Sequence, residues 1–242
     1  MDIMITQLFY QWIVMYIMSR NDNHTEETLQ EFKIRRKLVL NLLNPINNTT
    51  KINSTFTKNI KLTSPGIEFL LSDFNNAFMD LSDKGAHELT LLGMNQLSRK
   101  VSTWFKGNPE SIQIQLFHSA TWSIGAKIYA KNNHYNHPRF SNIAIRMSAD
   151  ELDIYETVDG LCFAKLLLLF CLKDNSLTTD LAVIQWFDFK YQSEDLRLKH
   201  GCPYVKLLDE YDIIPIESIT DLIHVIPHFG HDNSFFVNSF LF

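Results

Sequence analysis

The chain has little of what usually announces chemistry. Its three cysteines, Cys162, Cys171 and Cys202, are odd in number and show no CxxC spacing, which argues against a disulfide framework or a zinc site. They read as reduced thiols in a core and so favour an intracellular compartment. There is no block of basic residues: 22 Lys and Arg stand against 27 Asp and Glu, for a net charge of −5. Tight non-specific binding to nucleic acid grows with the number of Lys and Arg contacts to phosphate, so the composition gives no strong nucleic-acid signal. GxSxG, P-loop and GxGxxG patterns are absent, and no Ser or Cys nucleophile is indicated. The expectation is a protein that is not an enzyme and that uses no cofactor.

Two groups of residues invite a metal reading. His134 and His137 lie close together, and so do His224, His228 and His231. Zinc needs three or four converging ligands with support behind them, and no HExxH or Cys/His spacing supplies that here. Pro227 also breaks the strand geometry that would align His224 with His228. The carboxylates Asp150, Glu151, Asp153 and Glu156, and Asp209, Glu210 and Asp212, cluster without any device that makes them converge. No metal site is expected.

What the chain does have is a helical first part and a strand-rich second part. Ile3 to Met18 is strongly apolar but is interrupted by Gln7 and Gln11, and it is shorter than the ~20 residues of a spanning helix. It lacks a basic leader and a small-residue cleavage site, so it reads as a buried helix rather than a signal or anchor. Asn23 to Asn44 is a second helix. Asn23 and Glu26 form a capping box, and Pro45 ends it. Its Lys33, Arg35, Arg36 and Lys37 read as a solvated face. Residues 45–65 form a polar loop rich in Asn, Thr, Ser and Lys; the sequon-like triplets at Asn47, Asn48 and Asn53 belong to it. Ile67, Leu70, Leu71, Phe74 and Phe78 predict a short helix over 66–79. Leu89, Leu92, Leu97, Val101 and Phe105 predict another over 82–105. Gly93 costs that helix about 1 kcal/mol relative to alanine. Gly107-Asn108-Pro109 marks a boundary between a helical region, 1–106, and a β-domain, 110–242.

Beyond it, Ser111 to Phe117 alternates as a half-buried strand. Further strands are predicted over 122–130, 143–147, 152–158, 161–172, 181–187, 205–208 and 219–226, with a last one from Phe235. Asn132 to Phe140 reads as a polar loop, and Asp159-Gly160 as a hairpin turn. Pro215 marks a corner or edge. Short, closely spaced strands with turns between them predict a small, mostly antiparallel β-barrel, which also leaves few exposed edges. The fold class is therefore α+β.

Trp186-Phe187, then Ile214-Pro215-Ile216-Glu217-Ser218-Ile219 leading into Ile223–Ile226, resemble the order of signals in a bromo-adjacent-homology (BAH) barrel. Asp188-Phe189-Lys190 stands where such barrels often carry Arg-Pro. A longer resemblance, from about Ser119 onward, is to the C-terminal region of fungal Plavaka-type transposon proteins. Its landmarks are Thr121-Trp122, His137-Pro138-Arg139-Phe140, Asp159-Gly160, Phe163 to Phe170, Leu181 to Ile184, Ile214 to Ile219 and Phe235 to Asn238. In such proteins this region lies downstream of the catalytic core. The resemblance therefore implies a non-catalytic protein-interaction module with chromatin or transposition proteins as partners, and an intracellular, chromatin-linked nuclear location. BAH-like barrels can hold a methylated lysine against an aromatic wall, and Trp122, Tyr155, Trp186, Phe187 and Tyr191 are the candidates for one. A peptide added along an exposed strand and plain core packing are the other readings of these rings. The alternative functions are a remnant of a nucleic-acid-processing transposase and a secreted or membrane-anchored protein using residues 3–18.

Overall fold

The structure, a computed structural model, describes residues 59–104, 109–122, 125–147, 161–174, 177–191, 198–199 and 202–238. The helices expected over 3–18 and 23–44, most of the polar loop, the strand over 152–158, the Asp159-Gly160 turn and Tyr155 lie outside the described residues.

The organising element is the strand β6, Leu161–Asp174. It is apolar almost throughout because both of its faces are covered. Ala164, Leu166 and Leu169 enter one cluster, while Leu167, Leu168, Phe170 and Leu172 enter another. Strict alternation would put Leu167 and Leu168 on opposite sides. A register shift between Leu166 and Leu168 places both in the second cluster, as a bulge does by adding one residue to a strand. That accounts for the unbroken Leu166–Leu169 run.

Around β6 the sheet curls. The strand β7, Leu177–Phe189, pairs with it from Phe163 to Asp174. On its other side, β5 (Asn142–Arg146) pairs with the first part of β6, and β2 (Gln113–Trp122) with the last part. Beyond β2 come β1 (Ile60–Leu70) on one side and β3 (Lys127–His134) with β4 (His137–Phe140) on the other. Beyond β7 come β9 (Cys202–Pro215), then β12 (Phe235–Val237) and β11 (Val225–Pro227). The short β8 (Leu198–Lys199) pairs with β9, and β10 (Ile219–Ile223) with β5. Every pairing is antiparallel among the described residues. The fold is α+β with a barrel-like, mostly antiparallel sheet, as the strand pattern predicts. The sheet is curled into a half-barrel around Trp122, Ile128, Ile143, Leu166, Ile184 and Trp186.

Two helices cover the opposite face. They are α1, Phe74–Asp83, and α2, Glu88–Trp104. Met94, Leu97 and Val101 of α2 are buried with Phe74, Leu167, Leu168 and Phe170. The buried stripe of α2 runs through Thr90, Gly93, Met94, Leu97 and Val101, while Leu89 and Leu92 lie at its margin. Among the described residues, the stretch before the helices differs from expectation. Ile67 and Phe69 pack inward while Glu68 and Leu70 are exposed, so residues 60–70 form an edge strand rather than a loop and the start of a helix. The run from Ile67 to Phe78 matches helical spacing, but its first part also has period two, and pairing with β2 decides it. As a result β1, which precedes Gly107-Asn108-Pro109, is hydrogen-bonded to β2, which follows it, and both helices share a core with the sheet.

All three cysteines are buried, and none of them is in a disulfide. Burial, followed by a hydrogen bond with Asp180, pushes the Cys171 thiol up to about 11 from 9.0. The unfolded chain therefore loses this proton first. The stabilising contribution is whole below pH 9 and is lost as pH rises towards 11. Thermal melts of wild type and Cys171→Ala should accordingly converge between those two pH values.

Candidate functional site

Beyond the core, the sheet presents a cleft where β1, β2 and the β3–β4 hairpin meet. Its sequence origin is simple. In β3, Ile128 and Ala130 enter the inner core, so the alternate residues Lys127, Tyr129 and Lys131 fall on the opposite face. Antiparallel pairing sets Ser119 beside Tyr129 and Thr121 beside Lys127, and on the far edge Thr63 beside Ser119. Lys131 is paired with Arg139 of β4.

The cleft holds about 320 Å³. Its floor carries the hydroxyls of Ser64 and Ser119, 3.2 Å apart. His118, His134, Lys127 and Lys131 also line it. Tyr129 and Tyr135 form its aromatic wall. No carboxylate is among these lining residues. The Arg139 guanidinium lies 4.1 Å from the centre of the Tyr129 ring, and Lys127 Nζ lies 5.5 Å from it. Cations over a ring face are held by its quadrupole. Arg139 Nη1 also donates to His134 Nε2 at 2.8 Å. Guanidinium has only donors, so that imidazole nitrogen is the acceptor and carries no proton.

The electrostatics agree with this geometry. Partial burial and then Arg139, Lys131 and Lys127 hold His134 below its ordinary value. Burial first, and Lys131 second, do the same to His118. Both rings are held towards their neutral form, and both lie near positive charge. A chain with net charge −5 thus carries a local cationic pocket.

Two backbone features shape the pocket. Gly66 lies within the β1 register shift, and a Cβ there would stand 3.3 Å from His118 Nε2, so the glycine lets the imidazole approach the strand. The hairpin turn is Tyr135-Asn136, with φ of 52° and 66° between the paired His134 and His137. Positive φ at both central residues is the type I′ pattern. Asparagine tolerates it, whereas tyrosine does so at a cost. Tyr135 is nevertheless there, 87% exposed, at the mouth of the cleft.

The four described residues of the expected aromatic wall, Trp122, Trp186, Phe187 and Tyr191, are not gathered in one place. Trp122, 3% exposed, and Trp186, 8% exposed, belong to the inner cluster. Phe187 lies in a different cluster with Phe163, Phe189 and Val205, and Tyr191 packs at 5.9 Å against Tyr204. Neighbours along a strand point to opposite faces, and this separates Trp186 from Phe187. The core-packing reading describes these three residues, and Tyr191 stands apart. The Trp186 indole donates to Asp212 at 3.4 Å, and Asp212 also pairs with Lys100 of α2 at 2.9 Å. That carboxylate is thus engaged in tying α2 to the sheet. His228 is buried, with Nδ1 2.9 Å from the Tyr204 hydroxyl and its ring stacked on His231. No group of His, Cys, Asp and Glu among the described residues could hold a metal ion. No described helix is long and apolar enough to cross a membrane.

The cationic cleft escapes a reading that seeks consecutive charge. Its signal is the alternation in Lys127-Ile128-Tyr129-Ala130-Lys131, which becomes a patch only when β3 pairs with β2 and β4. Asn132 to Phe140, expected as a polar loop, is the rest of that hairpin. No protein-family profile, curated protein or solved structure matches the chain.

Proposed function

We propose that this chain is a non-catalytic interaction module that binds an acidic segment of a partner protein in the cleft on β1–β4. The observation that carries this reading is the gathering of Lys127, Lys131 and Arg139 around Tyr129, with no carboxylate among the described residues that line the space. Charge of one sign in a walled cleft raises the local concentration of an oppositely charged ligand and steers its approach. The resemblance to transposon-encoded proteins makes a transposition or chromatin protein the partner class. Nucleic acid suits the cleft less well: three neighbouring cations on an acidic chain give few phosphate contacts.

The test is titration of a short fluorescent Glu-rich peptide with the full chain across a salt series. Binding should weaken as salt rises, because the site is open to solvent. Lys131→Glu should weaken it roughly tenfold or more, equivalent to about 1.4 kcal/mol. Equal affinity for a Lys-rich peptide, or no effect of Lys131→Glu, would refute the reading.

A further inference from the structure

The donors in the cleft are more numerous than a carboxylate can use. We infer, resting on the acidic-segment reading above, that the group the cleft takes is the phosphomonoester of a phosphorylated side chain. A carboxylate offers two oxygens, whereas a phosphomonoester offers three terminal oxygens and a charge of about −1.5 to −2 at pH 7. Against these stand Lys127 and Lys131, the Ser64 hydroxyl and the imidazoles of His118 and His134 around one space of about 320 Å³, the Ser119 proton being given to Thr63 O. Charge-assisted hydrogen bonds of this kind are roughly twice as strong as neutral ones.

The arrangement has the features of a receptor for a compact anion. Ser119 Oγ donates to Thr63 O at 3.1 Å and lies beside Ser64 Oγ, so the hydroxyl floor is fixed by the β1–β2 pairing. Lys127 and Lys131 rise from one face of a single strand, on either side of Tyr129. Arg139 is held on Tyr129 and His134, which keeps a third positive charge behind the wall. Tyr135 holds an unfavourable backbone conformation at the rim, where it can cover a bound group. The overall charge of −5 disfavours extended polyanions and anionic membranes, which meet the whole surface, more than it disfavours a single phosphate on a short segment.

The experiment uses the full chain and three otherwise identical peptides of Gly, Ala and Ser, with a central serine, glutamate or phosphoserine. The phosphoserine peptide should bind at least about tenfold tighter than the glutamate peptide. Inorganic phosphate should compete with it. Lys131→Gln and His118→Ala should each remove most of the preference, and Lys131→Gln should leave the melting temperature within about 2 °C, as expected of a change at a partly exposed lysine. Affinities for phosphoserine and glutamate within about twofold of each other would overturn the phosphate assignment and leave the acidic-segment reading standing. Binding of neither peptide would remove both. Binding only to phosphatidic-acid vesicles or to single-stranded DNA would overturn the assignment to a phosphorylated protein. A preference unchanged in Lys131→Gln would place the site elsewhere.

Discussion

Trp186→Ala should destabilise the fold by about 3–5 kcal/mol, the usual cost of deleting a large buried aromatic. For a chain of this size that corresponds to a fall in melting temperature of roughly 6–20 °C. Trp186 is a buried member of the cluster that the half-barrel closes around, directly opposite Ala164 of β6. Removing the indole leaves space between β6 and β7 that the small Ala164 cannot fill. It also deprives Asp212 of the indole donor. Trp186→Phe restores most of the apolar volume but not the hydrogen bond, and should recover well over half of the loss. Urea or thermal unfolding measures both variants. A Trp186→Ala change below about 1 kcal/mol would mean that the ring lines an open surface rather than a core.

The second large effect concerns a residue with no side chain. Gly93→Val should destabilise by about 1–3 kcal/mol or more, the range for forcing extra carbons into a packed core. A Cβ at this position would lie 2.7 Å from Leu168 Cγ and 3.1 Å from Leu167 Cβ. These atoms belong to the bulged segment of β6, so α2 lies close against the sheet where the strand is irregular. Alanine would gain about 1 kcal/mol in helix propensity and lose more in the clash, so Gly93→Ala should be milder but still destabilising. Chemical unfolding of the two variants gives the order Val worse than Ala worse than wild type. An alanine variant more stable than wild type would show that α2 does not sit this close to β6.

That glycine shows how far local rules reach in this chain. Read along the helix, Gly93 is a defect; read across the interface, it is the point of contact. The antiparallel, barrel-like sheet was legible because Leu161 to Leu172 and Leu181 to Phe187 are too apolar to lie at a surface, and their lengths suit strands. Residues 60–70 were not legible, because Ile67, Leu70, Leu71 and Phe74 satisfy helical spacing while Ile67 and Phe69 satisfy strand spacing. Only the pairing of β1 with β2 separates the two. Trp122, Trp186 and Phe187 do lie on strands, yet strand alternation sends Trp186 and Phe187 to opposite faces. The cationic cleft was the least visible feature, since it joins Ser64, His118, Lys131 and Tyr135 from separate parts of the chain. Alternating lysines do not stand out in a composition with more acids than bases.

The most direct test of the account is to follow backbone-amide and indole NMR signals of the full chain while an acidic peptide is added. The cleft predicts that amides of Ser119, Tyr129, Lys131 and Tyr135 move, and that the Trp122 and Trp186 indoles stay in place. Movement of the two indoles with the β3–β4 hairpin unperturbed would contradict it.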